Sequence, residues 1–386
     1  MGVIRALLAI AVVIGHTGTI FGTMPDGVMA VQSFFIISGF YMSLILNEKY
    51  VSPGSYRLFI SNRLLRLFPT YIFIALLTLV VVVALHASGT RQELVEQYQS
   101  LSLGARTYLG IISATLLGQD TTLFLSVNNA GSLYWSEHFY NSKPVVNSLL
   151  LCPQAWSLSI ELMFYLVAPL LLRRSLKFIL ILVAAVFALR AGLALTGHYN
   201  DPWQYRFFPI EMLFFLAGNV SYRLYRYLKN RPGVIDGLQP AVFLATVVLL
   251  FLFNFLPVFP VVREYIFYII FTFAVPVVFL YTKNNSLDRF IGELSYPIYL
   301  SHWFIIMYCL PFLDNWYHFP QSVHTLLAVT LSVLFSILLI QLLIKPIDRY
   351  RERQVQKHNG KDDPLPDPEQ PLPVMAIDLA NNLPVK

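Results

Sequence analysis

The sequence predicts an all-α protein: a polytopic transmembrane helical bundle of about ten spans with both termini in the cytoplasm. Three observations carry that expectation. The chain is 56% hydrophobic and only 12% charged, with a mean hydropathy of +0.62, whereas a soluble globular chain is about a quarter charged. Ten apolar runs are each long enough, at about 17 to 22 residues, to cross a bilayer as a helix. They lie near 4–23, 28–46, 67–86, 154–172, 178–195, 207–222, 238–256, 264–281, 290–310 and 323–343. Finally, with the N-terminus inside, 21 of the 27 Lys and Arg residues fall in inner segments. Only Arg91, Arg106, Lys143, Arg190, Arg206 and Arg263 lie in outer or membrane positions. That asymmetry is what the cytoplasmic retention of positive charge produces, so the net charge of +6 points to topology and not to nucleic acid.

The first run, "MGVIRALLAIAVVIGHTGTIFG", has no small-residue cleavage site and is interrupted by His16, so it reads as a retained helix and not as a signal peptide. Arg5 and His16 are 11 residues apart. At about 100° per residue both leave one helical face, with a rise of about 16 Å between them. An ionisable group at that depth is functional by default, the bland reading being a neutral histidine hydrogen-bonded to a neighbouring helix. The second and third runs flank the basic residues Arg57, Arg63 and Arg66. Residues 87–153 form one long outer segment, a small lid whose piece "YLGIISATLL" is too short to span and reads as a re-entrant or interfacial helix.

The fourth run, "AWSLSIELMFYLVAPLLL", places Ser157, Glu161 and Tyr165 on one face. Arg190 lies in the fifth, and "RFFPIEMLFFLAG" brings Arg206 and Glu211 down from the outer mouth of the sixth. The ninth, "ELSYPIYLSHW", puts Ser295, Tyr299 and His302 on one stripe. His16, Glu161, Arg190 and His302 then fall in one layer contributed by four helices, and so many polar groups in lipid predict one shared cavity. Structural ion pairs such as Arg190 with Glu161 or Glu211 are the competing account. Two cysteines, Cys152 and Cys309, are too few for a disulfide framework or a metal site. Both are expected at the outer face, where a single bridge is one outcome and free thiols the other. The chain divides into a membrane domain, 1–345, and a cytoplasmic tail, 346–386. That tail is basic and then Pro-rich, and its end, "DDPLPDPEQPLP", cannot bury enough apolar surface to fold.

Six stretches in order carry a resemblance. They are the Arg5–His16 spacing, "FFIISGFYMS", "NRLLRLFPTYIF", "AWSLSIELMFYLVAPLLL", "RFFPIEMLFFLAG" and "ELSYPIYLSHW". Together they resemble the acyltransferase type 3 family, bacterial inner-membrane proteins that O-acylate, most often O-acetylate, surface glycans. The resemblance implies that Arg5 and His16 are both needed, that Arg63 and Arg66 are the cytoplasmic Arg-x-x-Arg pair, and that Glu161 is the fourth-span acid. It implies acetyl-CoA or another acyl-CoA as donor, no metal, and a glycan or lipid-linked saccharide as acceptor. Unlike the larger members, this sequence carries no extracytoplasmic hydrolase-like domain after its last span, so transfer falls to the membrane domain or to a separate extracytoplasmic partner.

Chemistry supplies roles for these residues. Guanidinium groups pair bidentately with phosphate, which suits Arg5, Arg63 and Arg66 to a phosphate-bearing donor. A neutral His16 whose tautomer is fixed by a carboxylate, Glu161 first and Glu211 second, is equipped to take a proton from an attacking sugar hydroxyl. On the outer segment Tyr134, Trp135, His138 and Tyr140 offer flat faces for sugar rings, or an interfacial aromatic belt. The rival class is a transporter or flippase that moves a glycan unmodified through the same cavity.

Overall fold

The structure is a computed structural model that describes residues 1–18, 26–51, 54–90, 92–255, 259–314, 317 and 319–358. The Pro-rich stretch, Lys361 and Lys386 lie outside the described residues, as does Arg91. Among the described residues the chain is all-α apart from one short hairpin. Its helices are α1 (Gly2–Thr17), α2 (Gly27–Glu48), α3 (Ser55–Ala87), α4 (Gln92–Ser100), α5 (Leu103–Thr115), α6 (Trp156–Leu171), α7 (Leu176–Leu195) and α8 (Phe208–Lys229). They continue with α9 (Gln239–Leu252), α10 (Pro260–Thr282), α11 (Ser286–Phe304), α12 (Leu310–Asp314), α13 (Gln321–Leu339) and α14 (Lys345–His358). Single π turns join α11 to α12 and α13 to α14.

Among the described residues each of the ten apolar runs meets a helix, and successive long helices run back and forth between two ends of the bundle. Met1, Glu48, Lys229 and Asp288 mark one end, where the Met1 amine bonds Asp288 and Lys229 pairs with Glu48. The other end carries the 88–155 segment. There α4, α5 and the antiparallel hairpin β1 (Leu125–Val127) and β2 (Leu133–Trp135) form a lid that meets Asp201 through Tyr140. Among the described residues, seven helices are long and apolar enough to cross a membrane, while Gly2–Thr17 and Gln239–Phe255 are apolar but shorter. The basic last turns of α8, "SYRLYRYLK", explain why that helix is the least apolar of the long ones.

Helix α1 is shorter than its apolar run because Gly18 adopts φ +96°, a left-handed conformation that ends the helix just beyond Thr17. At the centre α2 and α8 pack backbone to backbone. A Cβ on Gly39 would lie 2.1 Å from the Phe215 carbonyl oxygen, and one on Gly218 2.2 Å from that of Ile36. Without water between helices, close van der Waals approach of this kind is what binds them, and glycine makes it possible. Round this pair lie α1, α6, α10 and α11, while α7 stands at the rim with only 6% of its apolar stretch buried, against 72% for α2.

Candidate functional site

A cavity of about 940 Å³ lies among α1, α2, α3, α6 and α11, with Met1, Glu48, Lys229 and Lys283 at one end and Ser157 and Tyr299 at the other. It gathers eight of the residues singled out in the sequence: Arg5, Arg63, Arg66, Ser157, Glu161, Tyr165, Ser295 and Tyr299.

The fourth apolar run explains how α6 contributes. Ser157, Glu161 and Tyr165 recur every four residues and face the cavity, while Ile160 and Phe164 turn into the core, Phe164 stacking on Phe215 at 3.9 Å. Glu161 Oε1 accepts a hydrogen bond from Ser38 Oγ at 2.7 Å and another from the Tyr165 hydroxyl. Arg5 and Arg63 both lie within electrostatic reach of this carboxylate and of Arg66. Arg63 is only 7% exposed, and its Nε is buried without a hydrogen-bond partner. Three guanidinium groups crowded together, one with an idle buried donor, make a concave site suited to an elongated anionic ligand.

The far end of the cavity is closed by hydroxyls. Ser157 Oγ and Tyr299 Oη meet at 2.5 Å, and Tyr299 also donates to the Gln154 carbonyl at 2.9 Å. Beyond Tyr299 stands His302, the two ring centroids 5.7 Å apart, and beyond that His16, 5.1 Å from His302. His302 is fully buried. Its Nδ1 bonds the Tyr299 carbonyl, and its Nε2 has no partner. His16 is exposed, with Nδ1 2.8 Å from the Val12 carbonyl. A carbonyl only accepts, so Nδ1 carries the hydrogen of the neutral ring and Nε2 holds the lone pair.

Several expectations are corrected. His16 and His302 do meet, at 5.1 Å, but they form no common layer with Glu161 and Arg190: neither histidine lines the cavity that holds Glu161, and Arg190 lies apart from it. The His16 tautomer is fixed by the Val12 carbonyl, not by Glu161 or Glu211, because a helical side chain reaches its own i−4 carbonyl without needing another helix. Glu211 lies elsewhere, fully buried, accepting from Gln32 Nε2 at 2.9 Å, while Gln32 Oε1 accepts from Tyr268. Arg190 forms no ion pair with Glu161 or Glu211 among the described residues; its guanidinium lies 5.8 Å from the ring centroids of Phe214 and of Tyr265. Arg206 pairs with Asp201 at 2.9 Å and covers Trp156 at 4.8 Å. One expectation needs no correction: both cysteines are free, the second of the two outcomes open to them, with Cys152 buried and Cys309 half-buried.

On the lid, Tyr134, Trp135, His138 and Tyr140 are all exposed. Trp135 stacks on Phe124 at 5.4 Å, and Tyr140 donates to Asp201 at 2.6 Å. Burial, with the Asp201 carboxylate beside it, pushes the Tyr140 hydroxyl up to about 12, so it remains a donor.

Ser38, Tyr41 and Tyr296 also line the cavity and were not marked in the sequence as site residues. Ser38 carried a usable signal, since it precedes Gly39: where glycine lets two backbones touch, an adjacent hydroxyl is held in place.

Fold and site together define a multi-pass membrane protein built round a cavity with a cationic end. The family model described as "Acyltransferase domain", that of acyltransferase type 3, matches residues 1–344, and the chain belongs to that family. It is thus a membrane acyltransferase. No curated protein and no solved structure matches it.

Proposed function

We propose that this acyltransferase moves an acyl group, acetyl above others, from cytoplasmic acyl-CoA to a hydroxyl of a surface glycan or lipid-linked saccharide. It would do so across a bacterial inner membrane that it crosses ten times, with the Met1 end inside. The observation that carries this reading is the row that begins at Arg63 and Arg66, passes Arg5 and Glu161, and ends at Tyr299, one ring from the His302–His16 pair. Its two ends ask for two different reactants. Clustered arginines suit the phosphates of a CoA donor, whose thioester supplies the activated acyl carbon. A histidine with a free Nε2 suits a hydroxyl that must lose its proton.

In this reading Arg5, Arg63 and Arg66 hold the phosphates, and Glu161, fixed by Ser38 and Tyr165, orients the arginine side chains facing it. His16 Nε2 takes the proton as the acceptor oxygen attacks the thioester carbonyl carbon. The carbon–sulfur bond then breaks, and the proton passes to the departing thiolate, leaving ester and free thiol. Tyr299 and then His302 lie between donor cavity and base, so transfer requires both rings to turn aside. The exposed aromatics of the lid, with Asp201 beside them, offer stacking faces and acceptors to a sugar.

The test is acyl transfer by the purified chain in liposomes, with labelled acetyl-CoA on one side and fractionated glycan extracts on the other. Free CoA released together with label in a glycan ester is expected. CoA release with label left in water, or glycan crossing the membrane unlabelled, would remove the reading.

A further inference from the structure

Helix α14 follows the residues matched by the family, yet it packs against α3, the helix that brings Arg63 and Arg66 to the cavity. The side chains of Asp348 and Arg351 come within electrostatic reach of Arg66, and Arg351 also of Arg63. Arg351 donates through Nη1 to Asp348. Its side chain is 13% exposed, and its Nε, like that of Arg63, is buried with no partner. Lys49, just past the end of α2, lies within reach of both Arg63 and Arg351.

These cations form a graded series. Arg5, Arg63 and Arg66 share the field of Glu161, whereas Arg351 and Lys49 stand one step farther from it, coupled to Arg63. Glu161, Asp348 and Glu352 offset three of these five charges, and the two guanidinium N–H groups buried without acceptors cost further free energy unless a further anion sits among them. One pyrophosphate satisfies the inner three, leaving Arg351 just outside the cavity lining with an idle donor of its own.

Resting on the acyl-CoA reading, we propose that Arg351, with Lys49, forms a second phosphate subsite, one that takes the phosphomonoester farthest from the thioester, the 3′-phosphate of the donor's ribose. Order along the donor matches order along the protein. The thioester end lies toward Ser157 and Tyr299, the pyrophosphate at Arg63 and Arg66, and the terminal phosphate at Arg351. The C-terminal helix therefore reads whether the donor is a complete CoA.

The experiment is calorimetric titration of the full-length protein in detergent with CoA and with 3′-dephospho-CoA. Wild type is expected to bind CoA about tenfold more tightly, the size of one charge-assisted hydrogen bond. Arg351→Ala should bring CoA down to the affinity of dephospho-CoA and leave the latter unchanged. Arg349→Ala, on the exposed side of the same helix, should keep the preference. Equal affinities in wild type, or a preference surviving Arg351→Ala, overturn the proposal while CoA binding stands. If Arg351→Ala fails to accumulate, Lys49→Ala and the wild-type comparison decide it by the same criterion. A wild-type protein that binds neither ligand sinks the acyl-CoA reading and this inference with it.

Discussion

Helices α2 and α7 are both long, apolar and free of Asp, Glu, Lys and Arg over most of their length, yet they do opposite work. The apolar stretch of α2 is 72% buried and that of α7 6%. Buried α2 carries Gln32, Ser33, Ser38, Gly39 and Ser43 among its hydrophobic residues, and nearly all of them bond or touch a neighbouring helix or their own backbone. Peripheral α7 offers Leu180, Ile181 and Phe187 to its surroundings. In a bilayer the most apolar helix faces lipid, and small or polar residues mark the helices that face protein, the reverse of the rule for soluble cores.

Substitutions can break or sharpen that contrast. The largest effect is expected from Gly39→Val, whose branched side chain has backbone where its Cβ must go. No folded protein should accumulate in membranes, and normal accumulation would mean that α2 and α8 are not packed so closely. His16→Ala comes next. Acyl transfer should fall by about 10²- to 10⁴-fold, the usual contribution of a general base, while the protein accumulates as wild type does; retained activity would remove His16 from the mechanism. Replacing Arg63 and Arg66 together by Ala should weaken CoA binding by about 2–3 kcal/mol, and added salt should weaken the wild type. Unchanged affinity by titration would reduce the pair to markers of topology.

Smaller effects follow on each helix. Ser38→Ala deletes one donor to Glu161 and should cost about 1–2 kcal/mol, read as weaker CoA binding by titration, because Glu161 orients the arginines that hold the phosphates. Ile181→Ala on α7, 56% exposed, should move thermal stability by no more than about 0.5 kcal/mol. A loss as large as that of Ser38→Ala would show that the rim helix is buried by something else, a second copy included.

The same contrast explains what was legible in the sequence. Among the described residues each apolar run meets a helix, because an apolar stretch in lipid has no other way to satisfy its backbone hydrogen bonds. Ends were less legible. Gly18 cut α1 short, while α3 reaches back through "YRLFISNRLL" to Ser55, with Arg63 of that stretch turned into the cavity. Within one helix the four-residue spacing of Ser157, Glu161 and Tyr165 was enough to predict a common face. Across helices it failed for His16 and Glu161, because depth depends on where each helix begins, and one helix's periodicity says nothing of its neighbour's register. The Val12 carbonyl as the partner of His16 escaped notice for a plainer reason: backbone acceptors leave no mark in a sequence.

The contact of Ser157 with Tyr299 has a further consequence, for the cell's energy supply. Carrying one elementary charge across a membrane releases about 2.3 kcal/mol per 100 mV. A water-filled passage running from the arginine end to the lid would short-circuit that gradient in every copy of the protein. Because the lining stops at two hydroxyls and a layer of rings, the chain can hold a deep aqueous pocket and still insulate. Tyr299 is then as much a plug against leaking ions as a wall of the cavity.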